Sequence, residues 1–172
     1  MQDATLTAER ADLLQALRQH RFFLRNTARD LIDEQAGIRS TASELCVGGL
    51  IKHVAETEQH WVDFILDGPG AMERPADPSA YERYAQAFQM LPGDTLAGVL
   101  ARYDEVARRT DDVVRTLPDL NASQPLPEAP WFEAGARWSA RRVLLHIIAE
   151  TAQHAGHADI IRESIDGAKS MG

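Results

Sequence analysis

Four long stretches of this chain carry apolar residues at every third or fourth position, and no stretch alternates apolar and polar residues as a strand would. These stretches are residues 5–33, 43–66, 94–117 and 138–167. Apolar stripes with this period predict amphipathic helices, which are stable only when their apolar faces pack together. The sequence therefore predicts an all-α fold, a four-helix bundle, as a single domain over residues 1–172.

Capping residues and helix breakers give the expected limits of these helices. Side chains that can cap stand where each of the first three helices should begin: Thr5 or Thr7, Thr41 or Ser43, and Asp94. Pro118 should end the third helix. The fourth helix has the clearest limits, with Ser139 at its start and Gly167 at its end.

Two proline-rich connections join the helices. Residues 68–93 contain four prolines and are long for a bundle loop, which indicates a crossover between distant helix ends, with a short helix at residues 81–90. Residues 119–137 contain three prolines and are expected to form an irregular loop without strands. This loop should place aromatic side chains beside the fourth helix.

Two consecutive glycines, Gly48 and Gly49, lie in the first turns of the predicted second helix. Each weakens a helix by roughly 1 kcal/mol relative to alanine, so a close contact should compensate. We expect either another helix or a ligand to approach the backbone at this point. The nearby Cys46 is expected to be a small buried side chain and not a nucleophile.

The composition excludes several classes of protein. Apolar residues make up 44% and charged residues 26% of the chain, as in soluble globular proteins. The net charge of −8 argues against a nucleic-acid binder, because phosphate backbones need a basic surface. No run approaches the ~18 apolar residues of a membrane span, and the first residues do not resemble a secretory signal. We expect a cytoplasmic protein, and its single cysteine rules out an internal disulfide.

Two histidines and a glutamate give the chain its predicted chemistry. Glu150 and His154 lie one turn apart on the fourth helix, so an oxygen and a nitrogen can hold one cation. An inward-facing His53 on the second helix would complete a metal site between neighbouring helices. Two imidazoles and one carboxylate suit zinc with an open position, and they also accept nickel, iron or manganese.

The other nearby histidines are predicted to support this site. His146 lies on one line with Glu150 and His154, but the two turns from His146 to His154 span about 12 Å, too far for one ion. We expect His146 to orient Glu150 or to cap the site. His157 should support a ligand, contact the substrate or replace a ligand, and His60 should lie at the rim.

Further side chains are candidates for substrate binding. Arg141, Arg142 and Arg162 could bind anionic groups of a cofactor or substrate, or could be solvated surface charges. Four aromatic side chains could line the substrate entrance or simply pack: Trp61, Trp131, Phe132 and Trp138.

The sequence resembles the DinB/YfiT-like superfamily of metalloenzymes, and within it the branch of mycothiol-dependent and related low-molecular-weight-thiol S-transferases. The resemblance lies in residues 43–61 and 138–167, with a weaker match at residues 30–35. It implies up-down-down-up connectivity, a homodimer, and metal ligands at His53, Glu150 and His154. Many members carry histidine where this chain has Glu150, and the glutamate resembles the mycothiol-dependent maleylpyruvate isomerase relatives.

The predicted function is therefore a divalent-metal-dependent thiol S-transferase, with zinc as the expected metal. Mycothiol or a similar small thiol would lose its proton at the metal and attack an electrophilic substrate. Two alternatives remain open. One is a non-catalytic metal-binding or stress-response bundle that acts through dimerisation, and the other is a metal-dependent hydrolase.

Overall fold

A computed structural model describes residues 6–72 and 78–170. Its long helices confirm the predicted all-α fold: α1 (Ala8–Asn26), α3 (Val47–Asp67), α5 (Leu96–Thr116) and α6 (Ala140–Asp166). Shorter elements lie in the connections: α2 (Asp33–Ala36), a 3₁₀ turn (Pro69–Met72), α4 (Ala80–Gln86), β1 (Ser123–Pro125) and β2 (Arg137–Ser139). None of the helices in these described segments has the length and apolar character needed to cross a bilayer.

The long helices run up, down, down and up. α1 is parallel to α6, because Glu9 pairs with Arg141 at one end and Arg162 donates to the carbonyl of Thr27 at the other. α5 is antiparallel to α1, since Arg10 donates to the carbonyl of Leu117. α3 runs with α5 and against α6, as three residue pairs show: Gln59 with Arg102, Asp63 with Arg109, and Trp61 with His146. Parallel α3 and α5 require the predicted long crossover between them.

The predicted starts of α1 and α6 are confirmed. The hydroxyl oxygens of Thr7 and Ser139 accept backbone N–H groups of the first turn at 3.4 and 3.2 Å. At the end of α6, Gly167 adopts a φ of 79°, a left-handed conformation that favours glycine. The alternative cap Thr5 lies outside the described residues.

The predicted cap of α3 is wrong. Cys46 takes this position, and its Sγ accepts a hydrogen bond from the backbone N–H of Gly49 at 3.4 Å. Thr41 and Ser43 instead bond to each other at 2.9 Å in the preceding turn. Cys46 is buried, as expected, so it serves both as a packing residue and as a cap.

Two further predicted boundaries are also wrong. Thr95 caps α5, because the carboxylate of Asp94 is already occupied by Lys52 at 2.9 Å. The first helix ends at Asn26 and does not reach residue 33, since Asp30 has a φ of 59° that no α-helix accommodates. Residues outside the apolar stripes therefore affect where α5 begins and where α1 ends.

The connection before α6 contains a short β-ribbon where the sequence predicts an irregular loop. β1 and β2 pair antiparallel, with Gln124 opposite Trp138. Strands of three residues are too short to show the alternation by which strands are recognised in a sequence. The ribbon holds Trp138 at the start of α6, beside the groove between α3 and α6.

The glycine pair of α3 receives the chain segment that follows α4. A Cβ added to Gly49 would lie against the carbonyl of Phe88 and 2.9 Å from the backbone nitrogen of Gln89. A Cβ on Gly48 would meet the side chain of Met90. The expected close contact therefore exists, but its partner is the crossover segment and neither a helix nor a ligand.

We expect Gly49→Ala to lower the free energy of unfolding by about 1–3 kcal/mol, because the backbone at Phe88 must move to admit the methyl group. Urea unfolding followed by circular dichroism measures this change. Gly156→Ala is the matched control, since nothing lies within 4 Å of the added Cβ and alanine favours a helix. A Gly49 variant as stable as the Gly156 variant would contradict the tight docking.

A buried polar layer divides the core of the bundle. One apolar cluster includes Leu24, Val54 and Ala155, and a second includes Leu17, Val62 and Ile147. Between them lie four buried polar residues, one from each long helix: Arg21, Glu58, Thr110 and Thr151. Because buried polar groups must be paired to be tolerated, this layer fixes the relative heights of the helices.

Candidate metal centre

His53 of α3 meets Glu150 and His154 of α6 in the groove between the two helices. One donor atom from each residue, a nitrogen of each imidazole and a carboxylate oxygen, lies within 4.8 Å of the other two. The antiparallel packing of α3 and α6 brings these three positions to the same height along the bundle. The one-turn spacing puts Glu150 and His154 on the same face of α6. All three side chains are half-buried.

The spacing of the three donors fits a metal ion. Donors that share one ion through bonds of ~2.0–2.2 Å lie about 3.4 Å apart at tetrahedral angles. The donors here are at most 4.8 Å apart, so changes in side-chain rotamers would have to shorten these distances by up to about 1.4 Å to reach that spacing. Two neutral imidazoles and one carboxylate also leave a fourth position open for water or a substrate.

Burial favours the protonation state that a metal requires. It lowers the pKa of His154 below its usual value, although the negative charge of Glu150 acts in the opposite direction. Burial lowers the pKa of His146 in the same way. Because an imidazole binds a metal through a nitrogen without a proton, the lowered pKa of His154 keeps this donor available at neutral pH.

Phe88, which no periodic sequence pattern indicates, covers one side of the site. Its ring stacks on the imidazole of His53, with centroids 3.9 Å apart and planes inclined by 24°. Tyr84 of α4 contacts the edge of Phe88 at 5.4 Å. The signal that could have indicated such a residue is the pair Gly48–Gly49, which admits the backbone of Phe88 against α3.

His146 and His157 lie on either side of the donor pair on α6. Nε2 of His146 is 3.8 Å from Oε1 of Glu150, which is longer than a hydrogen bond. Nδ1 of His157 is 3.4 Å from Nδ1 of His154. Both histidines therefore lie beside the donors, and neither joins the three-residue cluster. Their supporting roles remain predictions.

His60 lies away from the donor cluster. It lines a surface depression with Lys52, Glu56 and Arg83, between α3 and α4. Glu58, two residues before His60 on α3, is fully buried in the polar layer of the core. His60 remains a predicted rim residue.

An aromatic group lies in the groove beside His146. The rings of Trp61 and Trp138 stack with centroids 4.9 Å apart, and each meets His146 edge-on at 4.9 and 5.1 Å. Phe132 contacts Trp138 at 5.8 Å. Trp131, next to Phe132, is 77% exposed. The aromatic residues predicted for the entrance therefore form one group beside His146.

The three candidate arginines have different surroundings. Arg162 is buried and bonds to Asp166 at 2.7 Å and to the carbonyl of Thr27 at 2.9 Å, which indicates a structural role. Arg141 is exposed and pairs with Glu9. Arg142 stacks on the ring of Trp138 at 4.1 Å, which places its charge beside the aromatic group.

Comparison with known proteins identifies a family. No curated protein matches the chain. The family model described as mycothiol S-transferase matches residues 12–167, which include the three clustered donors and almost all of α1 and α6. This match supports a thiol S-transferase kind of function and agrees with the resemblance seen in residues 43–61 and 138–167. The chain belongs to the mycothiol S-transferase family.

Proposed function

We propose that this protein is a divalent-metal-dependent thiol S-transferase whose metal ligands are His53, Glu150 and His154. One observation supports this proposal most: in a chain of this family, three metal-binding side chains from two helices converge within 4.8 Å. Zinc fits two imidazoles and one carboxylate, and nickel, iron and manganese accept the same donors.

The bound cation would supply one kind of chemistry, the lowering of the pKa of a thiol that binds at its open position. The surrounding side chains determine the environment of that cation. Phe88 packs on His53, and the Trp61–Trp138 pair packs on His146, so aromatic rings replace water beside these two imidazoles. Electrostatic interactions are stronger where water is replaced in this way.

The transfer joins a sulfur to an electrophilic carbon. The thiol would give up its proton to solvent water, the sulfur–carbon bond would form, and the bond from carbon to the leaving group would break, with both electrons going to the leaving group. We propose mycothiol or a similar small thiol as the donor, and Arg142 as a contact for an anionic group of either substrate. The homodimer and the cytoplasmic location remain predictions.

Metal removal and replacement test the proposed function. The reaction of mycothiol with chlorodinitrobenzene serves as the assay. We expect metal-free protein to catalyse it at least about 100-fold more slowly than zinc-loaded protein, because a metal ion lowers such activation barriers by several kcal/mol. Loss of thiol and formation of the thioether product are measured together.

Two controls make this result specific. The uncatalysed rate with free zinc is subtracted, and circular dichroism shows whether the metal-free protein keeps its helices. Equal rates with and without metal would contradict metal dependence. Metal-dependent release of a hydrolysis product without loss of thiol would instead favour the hydrolase alternative.

A further inference from the structure

Glu150 and His154, the two donors on α6, are in line with a third side chain, His157, which contacts His154. Glu150 Oε2 lies 3.5 Å from Nε2 of His154, on one edge of that imidazole. On its other edge, Nδ1 of His154 lies 3.4 Å from Nδ1 of His157. His154 therefore presents one ring nitrogen toward the donor cluster and the other toward His157.

Two facing Nδ1 atoms can form a hydrogen bond only if one carries the proton and the other carries a lone pair. If Nε2 of His154 binds a cation, that nitrogen must lack a proton, so the proton of the neutral ring is on Nδ1. His157 must then accept through Nδ1 and carry its own proton on Nε2. The arrangement thus selects one tautomer for each ring.

Packing holds both rings in this relation. His154 and His157 meet edge to face with centroids 5.4 Å apart, and His154 also meets the ring of His53 at 5.0 Å. Both histidines are half-buried, so competition from water for their ring nitrogens is reduced. Metal-bound histidines in general donate their second ring N–H to a protein group, which fixes the tautomer and the direction of the ring.

We propose that His157 is a positioning residue, whose Nδ1 accepts the Nδ1 proton of His154 and so directs Nε2 of His154 to the cation. This inference rests on the proposed metal centre. His146 does not provide an equivalent contact, because its Nε2 is 3.8 Å from Glu150.

Three variants separate this role from others. His157→Asn keeps an acceptor oxygen close to the place of Nδ1, and His157→Leu removes the acceptor with a similar side-chain volume. Gln153→Leu, at an exposed position of the same helix, controls for an added apolar side chain. Zinc affinity is measured by competition with a chromophoric chelator.

We expect His157→Leu to bind zinc about 10–100-fold more weakly than the wild type, the range found when such supporting groups are removed. His157→Asn should stay within about threefold of the wild type, and so should Gln153→Leu. Equal affinity in all proteins would overturn the proposal. Equal weakening in the Leu and Asn variants would also overturn it, because it would identify His157 as a ligand.

A second measurement reports the tautomers directly. Long-range ¹H–¹⁵N NMR spectra of the zinc-loaded protein show which ring nitrogen carries the proton. We expect the proton of His154 on Nδ1 and the proton of His157 on Nε2, so that Nδ1 of His157 accepts. A proton on Nδ1 of His157 would overturn the proposal. A wild type that binds no zinc would contradict the proposed function, whereas zinc binding of equal affinity in the wild type and His157→Leu would overturn the positioning role alone.

Discussion

Replacing His53 by alanine is expected to lower the zinc affinity of this protein by at least about 100-fold. Loss of a supporting group around a metal costs 10–100-fold in affinity, and loss of one of three protein ligands should cost more. His53 is also the single donor from α3, so the remaining pair, Glu150 and His154, would hold the ion from α6 alone. Equilibrium dialysis followed by elemental analysis should give about one zinc per wild-type chain and almost none in the variant.

His60→Ala is the matched control for this experiment. His60 is another histidine of α3, two turns further along, and it does not belong to the donor cluster. Its removal should leave the zinc content unchanged. Equal zinc content in the His53 variant and the wild type would show that the ion binds elsewhere, and equal loss in both variants would show a general disturbance of α3.

The helices could be predicted from the sequence because their apolar stripes are long and their period is clear. α6 was predicted to within a residue, since Ser139 and Gly167 act through local backbone geometry. The start of α3 could not be predicted in the same way. Cys46 is a weak hydrogen-bond acceptor, so capping preferences do not indicate it, and the close packing of Gly48 and Gly49 against the crossover segment is a tertiary contact.

The donor cluster was predictable for a related reason. The spacing of Glu150 and His154 is a property of one helix, and His53 follows from antiparallel packing in the bundle. Phe88 and the direction of His157 depend on tertiary structure alone. Phe88 comes from the crossover, where no periodic pattern indicates what it contacts, and the ring orientation of His157 is set by its neighbours.

The sequence could have indicated the polar layer, because one of its residues, Glu58, lies within the apolar stripe of α3. Glu58 stands four residues after Val54 and four before Val62, both buried in the core, so it had to face inward. A carboxylate at such a position predicts a buried cationic partner on another helix. The structure supplies Arg21 of α1, which pairs with Glu58 and also bonds to Asp111 at 2.7 Å.

Replacing Glu58 by alanine is expected to lower the free energy of unfolding by about 3 kcal/mol. Arg21 is only 5% exposed, so removal of Glu58 leaves its charge buried with Asp111 as its remaining ionic partner, and broken buried pairs cost about 3–5 kcal/mol. The lower end of that range applies because Asp111 still neutralises part of the charge. Thr110 is little affected, since its hydroxyl also donates to the carbonyl of Val106 at 3.1 Å. Urea unfolding followed by circular dichroism measures the change.

Arg21 and Glu58 are needed mainly because each buried charge requires the other. Glu105→Ala, which breaks the exposed pair with Arg102, should change stability by less than about 1 kcal/mol. The double variant Arg21→Met with Glu58→Leu should recover most of the loss, because similar apolar volume replaces both buried charges. Asp111 loses Arg21 in this variant, but its side chain is 22% exposed and can be solvated by water. A double variant as unstable as Glu58→Ala would show instead that the polar layer contributes net stability, through hydrogen bonds that link α1, α3 and α5 at one height of the bundle.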